Sequence, residues 1–424
     1  MGSRGRIEGP SIRAASAAAD RHPSPQAGKD ASATWKAEVA GELARLRRRT
    51  LDIVEPLSEE VLGRQVCDFL SPLSWDLGHL ASFEELWLVK RVRGASVGLA
   101  AAYDALATPR SQRAGLPLLS KSAVLARLDA VRGETLKVLA TIDGDETGPL
   151  LRDGYVYWMV IQHEAQHQET MLQSLDLGDD GPLLPTGEDR SAAPPAVPGP
   201  LDECARVQVP GGELRMGTTD RSRAYDNEHP AHAVEVGDFA IDRYPASNRR
   251  WLDFIDDGGY NRRGLWSEAG RRWLEKSPDR HPQGWVETPD GWQLRRFGRL
   301  RPVEAAEPVQ HICYWEAEAF ARWCGGRLPD EAEWEKAATD SSCGVEQLLG
   351  SVYQWTRSAL APYPGFEPFP YPEYSQVFFG DTYRVLRGSS WAADPVLWRL
   401  TYRNWDLPQR RQIFAGVRVA YEAG

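Results

Sequence analysis

Cysteine is scarce in this chain and does not pair up. Cys67, Cys204, Cys313, Cys324 and Cys343 are odd in number, widely spaced and form no C-x-x-C. That pattern argues against a disulfide framework and for a reducing compartment with buried or incidental thiols. Long apolar runs are missing too. None approaches the roughly 18 residues of a membrane span, and the N-terminus carries no signal-peptide core, so the cytoplasm is the expected location. Positive charge is not in excess either. Sixty acidic against fifty basic residues leave a net charge of −10, so no basic face suggests nucleic acid as a partner. The one basic cluster, Arg45, Arg47, Arg48 and Arg49, shares a helical stretch with Glu38 and Glu42 and reads as a solvated helix face.

Length comes next. At 424 residues the chain is long for one core, and two domains are expected. Sixteen tryptophans suggest short elements packed around large rings, or aromatic-lined pockets. Residues 1–30 resemble an expression leader followed by small and polar residues, and are expected to be disordered. From Trp35 the pattern turns helical: Trp35, Val39, Leu43 and Leu46 form one apolar stripe. Further helices are expected at about 76–92, 122–142 (capped by Ser120 or Ser122) and 152–177. Four helices with long connections predict a bundle over 31–178. Residues 179–203, rich in Pro, Gly and acids, read as a linker. From 204 to 424 short strands such as 205–209, 213–216 and 233–236 alternate with helices at 248–256 and 314–323 and with a turn followed by a helix over 327–337. The fold class is therefore α+β with two domains, the second rich in irregular structure.

One run stands out chemically. His163-Glu164-Ala165-Gln166-His167 places two histidines four apart on a helix, so both project from one face. Val156, Val160 and Met171 share that stripe, which turns the pair toward the bundle interior. Imidazole suits Zn, Fe, Cu and Ni. A third ligand has few sources: in the helical half only His22, in the leader, and His79, in SPLSWDLGHL, remain. His79, His163 and His167 would make a facial triad with open coordination positions. The run also fits H-E-x-x-H, the zinc-protease signature, with Glu164 as general base. Thr170 occupies the place where a metzincin has glycine, and the next histidine is His229.

Longer motifs then narrow the reading. SPLSWDLGHLASFEELWL with HEAQHQET resembles the DinB-like half of the ergothioneine-type sulfoxide synthases. VPGGELRMG, NEHPAHAVEV, FIDDGGY, LPDEAEWEKAA, YPEYSQVFFG, VLRGSSWA and RNWDLPQRRQIFAGVRVA resemble their second half, a C-type-lectin-like domain related to formylglycine-generating enzyme. The resemblance runs from about residue 36 to 420. It implies a non-heme enzyme using Fe(II) and O₂ to join sulfur to C2 of the hercynine imidazole. The donor would be γ-glutamylcysteine or cysteine; in the selenoneine synthase branch a selenosugar gives a C–Se bond.

The resemblance also implies roles. His79, His163 and His167 match the iron ligands. Gln166, Tyr374, Asn404 and Trp405 match hercynine contacts, Trp405 suiting a quaternary ammonium. Tyr371 matches the acid that supplies a proton to reduced dioxygen. Arg110, Arg113, Asp406 and Arg410 match the donor site, where guanidinium forks suit carboxylates.

Departures keep the donor open. Gly350-Ser351-Val352-Tyr353-Gln354-Trp355 stands where the family usually has Gly-Asn-Val-Trp-Glu-Trp, and Arg387-Gly388-Ser389-Ser390 where Arg-Gly-Gly-Ser is common. Both lie in the half expected to shape the donor pocket and incline the reading slightly toward selenium. The cysteine pair of formylglycine-generating enzymes is not evident. The competing readings are a DinB-type zinc hydrolase or thiol transferase, and a lectin-like binding module with structural histidines.

Overall fold

The computed structural model describes residues 25–94, 101–142, 148–178, 193–199, 204–340 and 342–423. Residues 1–24 of the expected leader lie outside these. The first helix begins inside the rest of it: α1 spans Pro25–Val54. The stripe read from the sequence is its buried side, with Val39, Leu43 and Leu46 in the core. Helix α2 (Leu73–Glu84) continues into a π-helical stretch, Glu85–Arg91. Helix α3 (Lys121–Thr141) starts at Ser120, whose side chain accepts from the Ala123 N–H at 3.3 Å. Helix α4 (Tyr155–Leu177) carries Val156, Val160 and Met171 into the core.

The basic cluster is not a solvated face. Arg48 fits that expectation, pairing on the surface with Asp52 and Glu55, and Arg45 fits it in part through its pair with Glu42. Arg47 is buried among the four helices. Its Nε reaches Glu164 at 2.9 Å and its Nη2 reaches Glu84 at 2.8 Å. Arg132 of α3 closes the square, 2.7 Å from Glu84 and 3.1 Å from Glu164. Thr50 donates to Glu164 at 2.7 Å. Two guanidiniums and two carboxylates neutralise one another, which makes burying them tolerable. Arg45 binds Asp394 at 2.8 Å, and Arg49 donates to the Ala392 carbonyl at 2.6 Å, both in the second domain.

Glu164→Ala would leave two buried cations facing one anion. We expect a stability loss of about 3–5 kcal/mol, read by denaturant titration, with metal content per folded chain unchanged.

Among the described residues the second domain is built from short strands in four small sheets. The central one has the order β10-β9-β8-β11, with β8 at Tyr353–Leu360, β9 at Gly380–Arg387, β10 at Asn404–Asp406 and β11 at Ala415–Gly416. Strands β1 (Arg206–Val209), β4 (Phe239–Asp242) and β12 (Ala420–Glu422) form a second sheet. The hairpin of β2 (Gly212–Met216) with β3 (His232–Val236) matches two expected strands. The three-stranded meander β5–β7 (Trp285–Thr288, Gly291–Arg296, Arg299–Pro302) was not foreseen. Of the stretch read as a linker, only 193–199 is described, and Val197 there is buried with its N–H on the Ala306 carbonyl at 2.6 Å. That segment packs onto the second domain.

Helix α4 is the spine between the halves. At its C-terminal end Asp176 accepts from the Phe297 N–H at 3.1 Å and lies 3.0 Å from His311 Nε2. The His311 Nδ1 faces the Arg411 carbonyl at 3.0 Å. The loop carrying Arg410 and Gln412 is thereby tied to the helix that carries His163 and His167.

Candidate metal centre

His79, His163 and His167 come together, each offering one ring nitrogen, with the three nitrogens within 4.8 Å of one another. Among the described residues they are the one such His/Cys/Asp/Glu group. His79 Nε2 lies 3.2 Å from His163 Nε2. The other nitrogens of two rings are held from behind. His79 Nδ1 donates to the Tyr103 carbonyl at 2.7 Å. His167 Nδ1 faces Asp76 Oδ1 at 3.0 Å. Both contacts leave Nε2 free to point at a common centre, the arrangement usual for metal-bound imidazole. Gly78 lets this happen: a Cβ there would collide with the Tyr103 ring.

Aromatic rings fix the remaining degrees of freedom. His79 is stacked on Trp75 at 4.8 Å, and the Arg113 guanidinium lies 3.5 Å from the Trp75 ring centroid. Phe83 stacks on His163 at 3.8 Å. Burial, then the neighbouring His167, lower the His79 pKa to about 3, and burial drives that of His163 down as well. Those two imidazoles are thus neutral, the protonation state a cation needs. Three imidazole nitrogens converging from two helices, with one side open, fit a divalent first-row metal.

Glu164 cannot act here as a general base. It sits one residue round α4 from His163, and its carboxylate is consumed by Arg47, Arg132 and Thr50. The zinc-protease reading of the motif therefore has no base.

The open side faces a cavity of about 950 Å³ between the two domains. All the residues singled out in the sequence line it, but they do different things. Gln166 donates to Tyr402 at 2.9 Å and to Tyr374 at 3.1 Å, and accepts from Tyr225 at 3.4 Å. Tyr225 and Tyr374 are stacked at 4.3 Å. Trp405, on β10, meets Tyr374 edge-on at 5.9 Å. Tyr371 lies against Trp87 at 5.3 Å, and Trp87 belongs to the π-helical stretch, a feature often found at functional sites. Burial, then Asp226, raise the Tyr371 pKa well above that of an ordinary phenol. Asp406 and Arg410 pair at 3.2 Å. Arg110 lines the wall with an exposed side chain. Arg113 differs: its guanidinium is committed to Ser71, the Thr108 carbonyl and the Trp75 face. It stiffens the loop behind His79.

Several cavity residues were not found from sequence. Asp76 lies in the same motif as His79, but its partner is His167, on another helix. Tyr225 and Tyr402 were ordinary tyrosines until the fold gathered them, and Tyr353 stood out only as a departure from the family pattern. Glu169 is buried beside the cavity, where Ser390 donates to it at 2.5 Å and Tyr353 at 3.2 Å. Burial raises its pKa to about 7. The positions that depart from the family pattern fall here too. Tyr353 binds Glu169, and Gln354 accepts from Trp334 at 2.7 Å and Arg418 at 2.8 Å. Among the described residues none of these contacts is to Arg110 or Arg410: Tyr353 reaches α4 through Glu169, while Gln354 is held inside the second domain.

Comparison with known proteins agrees with this architecture. The DinB superfamily profile matches residues 42–171, and the sulfatase-modifying factor enzyme 1-like domain matches 194–342 and 339–423. A hercynine oxygenase of Mycobacterium tuberculosis is 41% identical over 91% of this chain and 99% of its own length. Hercynine oxygenases of Mycolicibacterium smegmatis and Mycolicibacterium thermoresistibile are 40% and 41% identical, again over 91% of the chain and over 98% and 95% of theirs. No helix among the described residues is long and apolar enough to cross a membrane. With both halves matched in one order and relatives aligned almost end to end, the chain belongs to the ergothioneine-type sulfoxide synthase family, whose matched members are named hercynine oxygenases.

Proposed function

We propose that this chain is a non-heme Fe(II)- and O₂-dependent synthase that forms a C–S or C–Se bond at the imidazole C2 of hercynine. The observation that carries the proposal is the three-histidine cluster opening into an aromatic interdomain cavity. The relatives' name supplies hercynine. Iron held by His79, His163 and His167 would supply the one-electron chemistry with dioxygen that an unactivated imidazole carbon requires.

The chain's own groups do the rest. Asp76 and the Tyr103 carbonyl aim the ligand nitrogens. The Gln166 amide, locked by Tyr402 and Tyr374, fixes one wall for the imidazole and its side chain. Trp405 and Asn404 close around the betaine end, where an aromatic face attracts a quaternary ammonium. Arg110, with the Asp406–Arg410 pair, offers opposite charges to the carboxylate and amine of an amino-acid thiol. A selenosugar would need hydroxyl partners instead. Tyr371 keeps its proton, because burial disfavours the phenolate, and holds it facing the cavity.

Oxygen-electrode measurements on metal-free protein reloaded with Fe(II) or Zn(II) test the reading. We expect uptake with Fe(II) only, and only when hercynine and a donor are both present. No uptake with Fe(II) when hercynine and a donor are both present would contradict the reading, and uptake indifferent to hercynine would remove hercynine as the substrate.

A further inference from the structure

Glu169 is the acid of the cavity wall that the groups considered so far leave without a counter-charge. It lies three residues after Gln166 on α4, so the two side chains are neighbours on one helix face. Both its oxygens are occupied only by neutral hydroxyls, Ser390 on Oε1 and Tyr353 on Oε2. Among the described residues no ion pair reaches it. Arg49, whose charge acts on it, is spent on Gln168, the Ala392 carbonyl and Asp394. The other cavity acids are better served or more exposed: Asp406 pairs with Arg410 at 3.2 Å, and Asp104 accepts from the Leu106 N–H at 2.9 Å. A buried carboxylate without a cation is costly, and the cost falls when a ligand brings one. Tyr402, whose hydroxyl is 2.9 Å from Gln166, borders the same part of the wall. A carboxylate beside aromatic rings suits a cation that has no N–H to donate.

We propose that Glu169 is the counter-ion for the quaternary ammonium of the substrate, and so decides that a betaine, not an uncharged imidazole acid, is accepted. This rests on the hercynine reading above. Tyr353 and Ser390 hold the carboxylate in place from the second domain, so the two domains must be docked for the site to select charge. The positive charge is read by Glu169 and aromatic faces, while the carboxylate of the same substrate is left to Asn404 and its neighbours.

Calorimetric binding to the Fe(II)-loaded protein without oxygen tests it. Hercynine is compared with 3-(imidazol-4-yl)propionate, which keeps the ring and carboxylate and lacks the cation. Wild type should prefer hercynine strongly. Glu169→Gln should cut that preference about tenfold or more, through weaker hercynine binding, with the binding of the propionate little changed. Glu169→Asp, which keeps the charge, should restore part of it. Bound iron and thermal unfolding, measured on the same samples, identify the folded holoenzyme. An unchanged preference in Glu169→Gln that still holds iron overturns the proposal and leaves the function intact. No hercynine binding by wild type overturns both.

Discussion

His167→Ala is expected to lose the metal. The ring is one of three that share a centre, and it is only partly buried, so its removal need not unfold the bundle. Disrupting even the outer partner of a metal-bound histidine typically costs 10–100-fold in affinity, so losing the ligand itself should weaken Fe(II) by more than roughly 100-fold. The graded comparison is Asp76→Ala, which leaves all three rings but releases His167 Nδ1; there we expect about 10–100-fold. Removing His167 also leaves Asp76 buried without its partner. The accompanying stability loss should be about 1–3 kcal/mol, so iron has to be counted per folded chain. Equilibrium dialysis with Fe(II) and denaturant titration on the same samples separate the two effects. Full iron retention in His167→Ala would mean that the cluster is not the site.

Tyr371→Phe is expected to preserve binding and lose turnover. The phenol has no hydrogen-bond partner among the described residues, and its ring contacts, Trp87 at 5.3 Å, Phe83 at 6.5 Å and Tyr374 at 6.3 Å, do not involve the hydroxyl. Phenylalanine keeps those contacts. What disappears is a proton held, by burial and by Asp226, at a pKa where it is present at all physiological pH values. Loss of a positioned acid typically costs 10²–10⁴-fold, and we expect about that in product formation. Hercynine affinity, measured anaerobically, should stay within about threefold of wild type, since no hydroxyl bond is broken. An unchanged rate and product distribution would remove Tyr371 from the reaction.

The sequence showed the metal centre more clearly than the walls around it, for physical reasons. The His163–His167 pair is local: helical spacing alone puts both on one face. His79 was reachable because few histidines lie in the helical half. The role of Arg47 was not legible, because an arginine that neutralises a buried carboxylate on another helix looks, along the chain, like any surface arginine. Arg113 shows the same limit from the other side. Its fork suits a donor carboxylate, yet the fold gives it Trp75 and two groups of its own neighbourhood. The meander β5–β7 was missed because its strands are only four to six residues long and carry tryptophan and arginine in place of an alternating pattern. Tyr225, Tyr353 and Tyr402 come from separate segments of the second domain and reach Gln166 and Glu169 only when that domain docks on α4.

The bond itself can be observed directly. Protein loaded anaerobically with Fe(II) and hercynine is exposed to air with one donor at a time: γ-glutamylcysteine, cysteine or a selenosugar. Mass spectrometry should find, for one of them, a hercynine adduct carrying sulfur or selenium at C2, absent without oxygen and absent from His167→Ala. Hercynine recovered unmodified with all three donors, from protein shown to hold iron, would contradict the account.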